Sequence, residues 1–246
     1  MSRVILMGHG FERFTKMILL FLLASFCLNC EATDVEDVTN EMVAYYPFNG
    51  NANDESGNGN HGSVFGATLT SDRFGNPISA YEFDGINDYI VTPLDINISV
   101  MPELTMSVWL YPRRTGPEDD GVVDHGRRHV LSSDDGDLDR SLVVKLGYWE
   151  IQMGGDRWIS GFPVDLNTWQ HIVVIFGTSE VKFYIDGVQL QILFFSGFSS
   201  TMCPLTFGDN ASRKWYQPYD GIVDDVRIYN YTLSSSEIQE LYNEAD

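Results

Sequence analysis

The feature that most constrains this chain is a succession of short apolar segments, each fenced by Gly, Pro, Asn or Asp. VAYYPF, YEFDG, DYIVTP, LTMSVWLYP, HVLSS, RSLVVKLG, YWEIQM, WQHIVVIFG, EVKFYIDG, VQLQILFF, PLTFG and GIVDDVRIYN are rich in β-branched and aromatic residues. Runs of this length and composition, bounded by turn residues, read as strands. In Glu180–Ile185, residues Val181, Phe183 and Ile185 point one way and the residues between them the other, the pattern of a half-buried strand. Asp186 and Gly187 then supply the positive φ of a two-residue turn into VQLQIL. So many short strands at such spacing predict an all-β domain, a sandwich of two antiparallel sheets. One short C-terminal helix is marked by Ser234 and Glu237, spaced as a capping box. Leu233 and Ile238 are placed to staple it, and Ile238, Leu241 and Tyr242 form its apolar stripe.

The first residues are different in kind. Arg3, Arg13 and Lys16 precede the apolar run Met17–Cys27, which is 11 residues long. A bilayer-spanning helix needs roughly 20, so residues 1–30 read as a signal peptide. Cys27, Leu28, Asn29 and Cys30 before Glu31 loosely resemble a bacterial lipoprotein signal, with Cys30 as the acylated residue. Asn29 and Cys27 stand where that pattern has a small residue and Leu, so a plain secretory signal is the alternative. Either way the expected location is outside the cell, secreted or tethered to a membrane by an N-terminal lipid, with residues 31–41 as an acidic spacer and residues 42–246 as the domain. The chain carries a net charge of −20, and with +2 in its first 30 residues the remainder holds about −22. Such a field repels phosphate backbones, so nucleic acid is excluded as a partner. Cys203 is the one thiol beyond residue 30, which excludes an internal disulfide there.

The order of segments carries a resemblance. VAYYPFNGNANDESGNGNHG, FDGINDYIV, LTMSVWLYP, NTWQHIVVIF, VKFYIDGV and YDGIVDDVRIYNYTLSSSEIQELY follow one another in the succession of the laminin-G-like jelly-roll domains of the concanavalin A-like lectin/glucanase superfamily. The likeness spans roughly residues 42–244 and is weakest over 112–165. It implies two curved antiparallel sheets, with the first strand beside VDDVRIYN, and a calcium ion near that junction.

Calcium takes six to eight oxygen ligands. The loop from Asn53 to Gly62 offers Asp54, Asn58 and the backbone at Gly59, where positive φ is tolerated. Period two sets Asp224 on the face of Val226 and Ile228, where a carboxylate needs a partner. The expected structural Ca²⁺ site is therefore Asp54, Asn58, Gly59 and Asp224. The acidic stretch 116–140 reads as a surface excursion, and Asp134–Asp139 as a solvated loop rather than a second cation site.

Catalysis by a glycoside hydrolase or polysaccharide lyase is the weaker reading. The superfamily's retaining glucanases carry two Glu with an Asp between on one strand, and no E-x-D-x-x-E run occurs here. Glu150 in YWEIQM stands without a second Glu; His171 reads as a buried structural residue; His61, His125 and His129 lack a visible Ser or Cys partner. Non-catalytic recognition of a polysaccharide or glycoconjugate is the leading expectation. Trp158, Trp215 and Tyr216 in loop-like stretches are the candidate stacking platforms, with Arg157 and Asp209 as hydrogen-bonding partners and Arg213 nearby. A protein-binding surface adhesin is the other non-catalytic class.

Overall fold

A computed structural model describes residues 41–115, 126–133, 140–154, 158–194, 203–212 and 217–245. The strands in them are β1 (Met42–Tyr46), β2 (Ser63–Phe65), β3 (Thr68–Thr70), β4 (Ala80–Asp84), β5 (Tyr89–Asp95), β6 (Leu104–Pro112), β7 (Arg127–Ser132) and β8 (Ser141–Lys145). They continue with β9 (Tyr148–Gln152), β10 (Trp158–Pro163), β11 (Gln170–Phe176), β12 (Glu180–Ile185), β13 (Val188–Phe194), β14 (Pro204–Phe207) and β15 (Asp220–Tyr229). One helix, α1 (Ser235–Tyr242), follows. The eight-stranded sheet runs β13-β12-β11-β6-β15-β4-β3 with β1 also paired to β15, and the seven-stranded sheet runs β10-β9-β8-β7-β14-β5-β2. This is the jelly-roll sandwich expected from the strand pattern.

Alternation decides what each face does. On β6, Met106, Val108 and Leu110 point into the space between the sheets, and from β9 Trp149 and Ile151 meet them there. The outer face of the larger sheet carries a second, smaller core. Val173, Ile175, Tyr184 and Tyr229 pack there against Leu233 and Ile238, the staple residues of α1. The helix keeps its capping box, with Ser234 Oγ accepting from the Glu237 N–H and the Glu237 side chain accepting from the Ser234 N–H. Its Gln239 donates to the Gly187 carbonyl at 2.7 Å, holding the β12–β13 turn. In that turn Asp186 has φ 50° and Gly187 φ 74°, the paired positive values of a type I′ hairpin.

Strand β15 holds the fold's ends together. Residues 220–223 pair with β4, residues 226–229 pair with β1, and the other edge pairs with β6. The first strand therefore lies beside VDDVRIYN, as the resemblance implies. A bulge falls between Asp224 and Arg227, where Asp225 takes φ 47°. It shifts the alternation by one, so Val223 and Val226 both face the core. Asp224 thus lies on the opposite face from Val226 and Ile228, which corrects the strict period-two reading.

Replacing Ser234 by Ala removes the cap on α1. Such changes cost about 1 kcal/mol, so thermal unfolding of S234A is expected about 2–4 °C below the parent.

Candidate functional site

The outer face of the smaller sheet is polar. Leu142 and Val144 of β8 and Trp149 and Ile151 of β9 face the core, so Ser141, Lys145, Glu150 and Gln152 face outward. Pairing sets these residues in rows: Ser132, Ser141, Gln152 and Trp158 lie across four strands, and His129, Val143, Glu150 and Ser160 form the next row. Adjacent strands are about 4.8 Å apart, so each row brings neighbouring side chains within reach of one ligand.

Glu150 is fully buried at the centre of this face. Its Oε1 accepts from Arg127 Nε at 2.8 Å and from Gln152 Nε2 at 3.2 Å. Lys145 Nζ stands 3.5 Å from Oε2, which accepts no hydrogen bond. A carboxylate taken out of water needs such partners, because an uncompensated buried charge is strongly destabilising. His129 lies on the same face with Nδ1 3.0 Å from Ser132 Oγ, while its Nε2 is unpartnered. Burial, and then the Arg127 charge, push its pKa down to about 3, so the ring is neutral. Trp158 is 46% exposed at the rim. Arg127 Cζ lies 5.9 Å and Lys145 Nζ 5.6 Å from its ring centroid, within cation–π range. Buried hydrogen-bonding groups beside a half-exposed indole are suited to holding a polar ligand with one apolar face.

The structure corrects two expectations. Trp158 does not sit in a loop; it opens β10 and pairs with Gln152. Within the stretch 116–140, Arg127–Ser132 is a buried strand rather than a surface excursion, and His129 does have a Ser partner. Asp209 is buried. It lies in a segment joined to β7 by Ala211 N–H donating to Ser132 Oγ at 3.3 Å. Arg157, Trp215 and Tyr216 lie outside the described residues, as do Arg213, His125, Asp134–Asp139, Cys30 and the spacer 31–40. The sequence alone marks Glu150 only as half of a missing catalytic pair and does not single out Gln152 or Arg127. Their signal is the outward phase of RSLVVKLG and YWEIQM, which sets polar residues on one face.

The first loop is held by its own acid. Asp54 Oδ1 accepts from the N–H groups of Tyr45 and Ser56, and Oδ2 from Asn60, all at 2.9 Å. Burial raises the Asp54 pKa, but hydrogen bonds from Ser56, Tyr45 and Asn60 outweigh it and hold the carboxyl below its ordinary value. Asn58 Nδ2 donates to the carbonyls of Met42 and Val43, and Gly59 turns with φ 78°. Asp54, Asn58 and Gly59 are thus gathered in one loop, but Asp224 is engaged elsewhere. Its Oδ2 meets Arg73 Nη1 at 3.2 Å, and the same nitrogen contacts Asp225. Among the described residues no cluster of three His, Cys, Asp or Glu side chains is placed to hold a metal. His171 is buried, as expected, with Nε2 2.8 Å from Ser107 Oγ, and burial pushes its pKa down to about 3.

Known proteins share this architecture. The family model of the concanavalin A-like lectin/glucanases superfamily, in its third laminin-G form, matches residues 84–239. The chain belongs to this family. An alignment 158 positions long, covering 59% of the chain, shows 26% identity to the Adhesion G-protein coupled receptor V1 of Danio rerio, of whose length it spans 2%. Domain 4 of AbnA, a GH43 extracellular arabinanase from Geobacillus stearothermophilus solved in complex with arabinotriose, superposes with a TM-score of 0.58 at 19% identity over 83% of this chain and 99% of that one. The binding domain of Paraclostridial Mosquitocidal Protein 1 gives 0.62 at 18% over 83% and 52%. A structure of botulinum neurotoxin type C, whose cell entry depends on interaction with two ganglioside molecules, gives 0.60 at 13% over 83% and 51%. These structural likenesses establish the shared fold.

Asp224 makes stability depend on pH. Burial, and then the neighbouring Asp225 charge, push its pKa up from 3.8 to about 8 against the pull of Arg73. Between those values the folded chain holds a proton that the unfolded chain has lost, so this contribution falls as pH rises. Thermal unfolding of Asp224→Asn is therefore expected to lose part of the decline that the parent shows from pH 5 to pH 8.

Proposed function

We propose that this domain is a non-catalytic extracellular recognition module that binds carbohydrate on the outer face of its smaller sheet. The observation that carries this reading is the juxtaposition of half-exposed Trp158 with the buried polar group of Glu150, Gln152, Arg127 and His129. A sugar ring has an apolar C–H face that packs on an indole and a hydroxyl edge that both donates and accepts hydrogen bonds. Pockets that combine an apolar wall with a few convergent polar groups are the usual form of small-ligand sites. The arabinotriose in complex with the arabinanase domain, and the gangliosides on which the neurotoxin's cell entry depends, are consistent with a glycan ligand. Trp158→Ala is expected to weaken glycan-array binding at least tenfold, the order expected of a buried aromatic anchor, without lowering the melting temperature. Unchanged binding would remove Trp158 from the site.

The adhesion-receptor relative favours a second reading, in which the partner is an extracellular protein. Pull-down from extracellular matrix compared with the glycan array separates the two.

The calcium ion is proposed at the first loop without Asp224. Its support is the gathering of hard oxygen atoms there: Asp54, Ser56 Oγ and the Val43 carbonyl, which accepts from Ser56 Oγ, Asn58 Nδ2 and Asn60 Nδ2 at 3.0–3.2 Å; Asn58 would ligate through its amide oxygen once turned about. Calcium bound to the folded form adds stability by mass action, so chelation is expected to lower the melting temperature and release calcium. No change in either removes the ion from the loop.

A further inference from the structure

We infer that an open groove beside α1, on the outer face of the larger sheet, docks an arginine-bearing segment of an extracellular protein. The inference rests on the second reading above, a protein partner, and gives that partner a face and a chemistry; it is independent of the glycan reading.

The groove measures about 370 Å³ and is lined by Leu233, Leu241, Glu237, Glu240 and Glu244. Leu233 and Leu241 belong to the small core under the helix, so the floor is aliphatic. The three acids recur at every third or fourth position of the chain, the spacing that sets side chains side by side around a helical turn. Two of them are already engaged. Glu237 accepts from the Ser234 N–H at 2.7 Å as part of the cap, and Glu244 pairs with Arg227. Glu240 is exposed and has no ion pair or hydrogen bond among the described residues. The helix adds to the field. Its C-terminal carbonyls carry partial negative charge, and its last turn holds no basic residue to offset them. Even with Arg227 counted, Glu237, Glu240 and Glu244 outweigh the cation at this end of α1, in a chain of net charge −20.

That combination chooses among occupants. The acidic rim repels anionic lipid headgroups and acidic glycans. A neutral sugar meets two leucines there and no aromatic face to pack on. An arginine matches both parts of the groove. Its methylene stem lies along apolar surface while its charged head stays at the wet edge. Its planar guanidinium can give a carboxylate two parallel N–H groups. Arginine is also enriched among the side chains that dominate protein–protein binding energy.

The test is NMR titration of the ¹⁵N-labelled full chain with the capped tripeptide Leu-Arg-Leu, and with the same peptide carrying citrulline or Glu in place of Arg. The Arg peptide is expected to move the amides of Leu233, Glu240, Leu241 and Glu244. Its affinity should fall severalfold as NaCl rises from about 50 to about 300 mM. Citrulline keeps the shape and removes the charge, and is expected to cost about fivefold or more, the order of one exposed ion pair. Glu240→Gln, at an exposed position that does not threaten folding, is expected to cost about as much. The Glu peptide should leave these amides unmoved. Equal binding of the Arg and citrulline peptides, or no shift at these four amides, overturns the inference. So does arabinotriose moving the same amides. Concentration-dependent shifts there without peptide would put a second copy in the groove and overturn it too. The matrix pull-down and the glycan array judge the two readings separately, since neither depends on these amides.

Discussion

The interaction on which the rest depends is the meeting of Arg73 with Asp224 and Asp225 at the bulge of β15. There the last strand pairs with the first, with β4 and with β6. The bulge sets two successive acid side chains toward one guanidinium, whose Cζ also lies 4.7 Å from the Trp109 ring centroid. Removing one partner of a buried ion pair costs far more than the pair contributes over an apolar equivalent. The cluster therefore specifies register: slipping β15 by one residue would expose Val223 and Val226 and strand Arg73 without its acids.

Much of the architecture is legible in the sequence because it rests on local chemistry. Period two in EVKFYI, Asp-Gly at a hairpin and Ser-x-x-Glu at a helix start each act over a few residues, and each reappears in the structure. The position of Asp224 is not legible, because a bulge is a single-residue change of phase. Nothing in GIVDDVRIYN distinguishes a regular strand from one in which Asp225 adopts a left-handed backbone. On period two alone Asp224 needs a partner, and the resemblance puts that partner at the first loop; in the structure it is Arg73, 151 residues away.

The binding face is half legible. Trp158 stands out because indole in a polar context is unusual, although its Gly-rich surroundings suggest a loop rather than a strand. Glu150, Gln152, His129 and Arg127 are individually ordinary and become a group only when β7, β8 and β9 are set side by side. The missing information is the lateral order of the strands. Ser132 Oγ comes within 3.0 Å of His129 Nδ1 along β7 itself, three residues on.

The burial of His129 has a further consequence. Since the His129 pKa is pushed down to about 3, its imidazole does not change state between mildly acidic and neutral media, where an ordinary histidine would switch. The smaller sheet thus keeps the same charge at that position as its surroundings acidify. Histidine is the residue proteins use to sense protons; here burial has made it a neutral ring that mild acidification leaves unchanged.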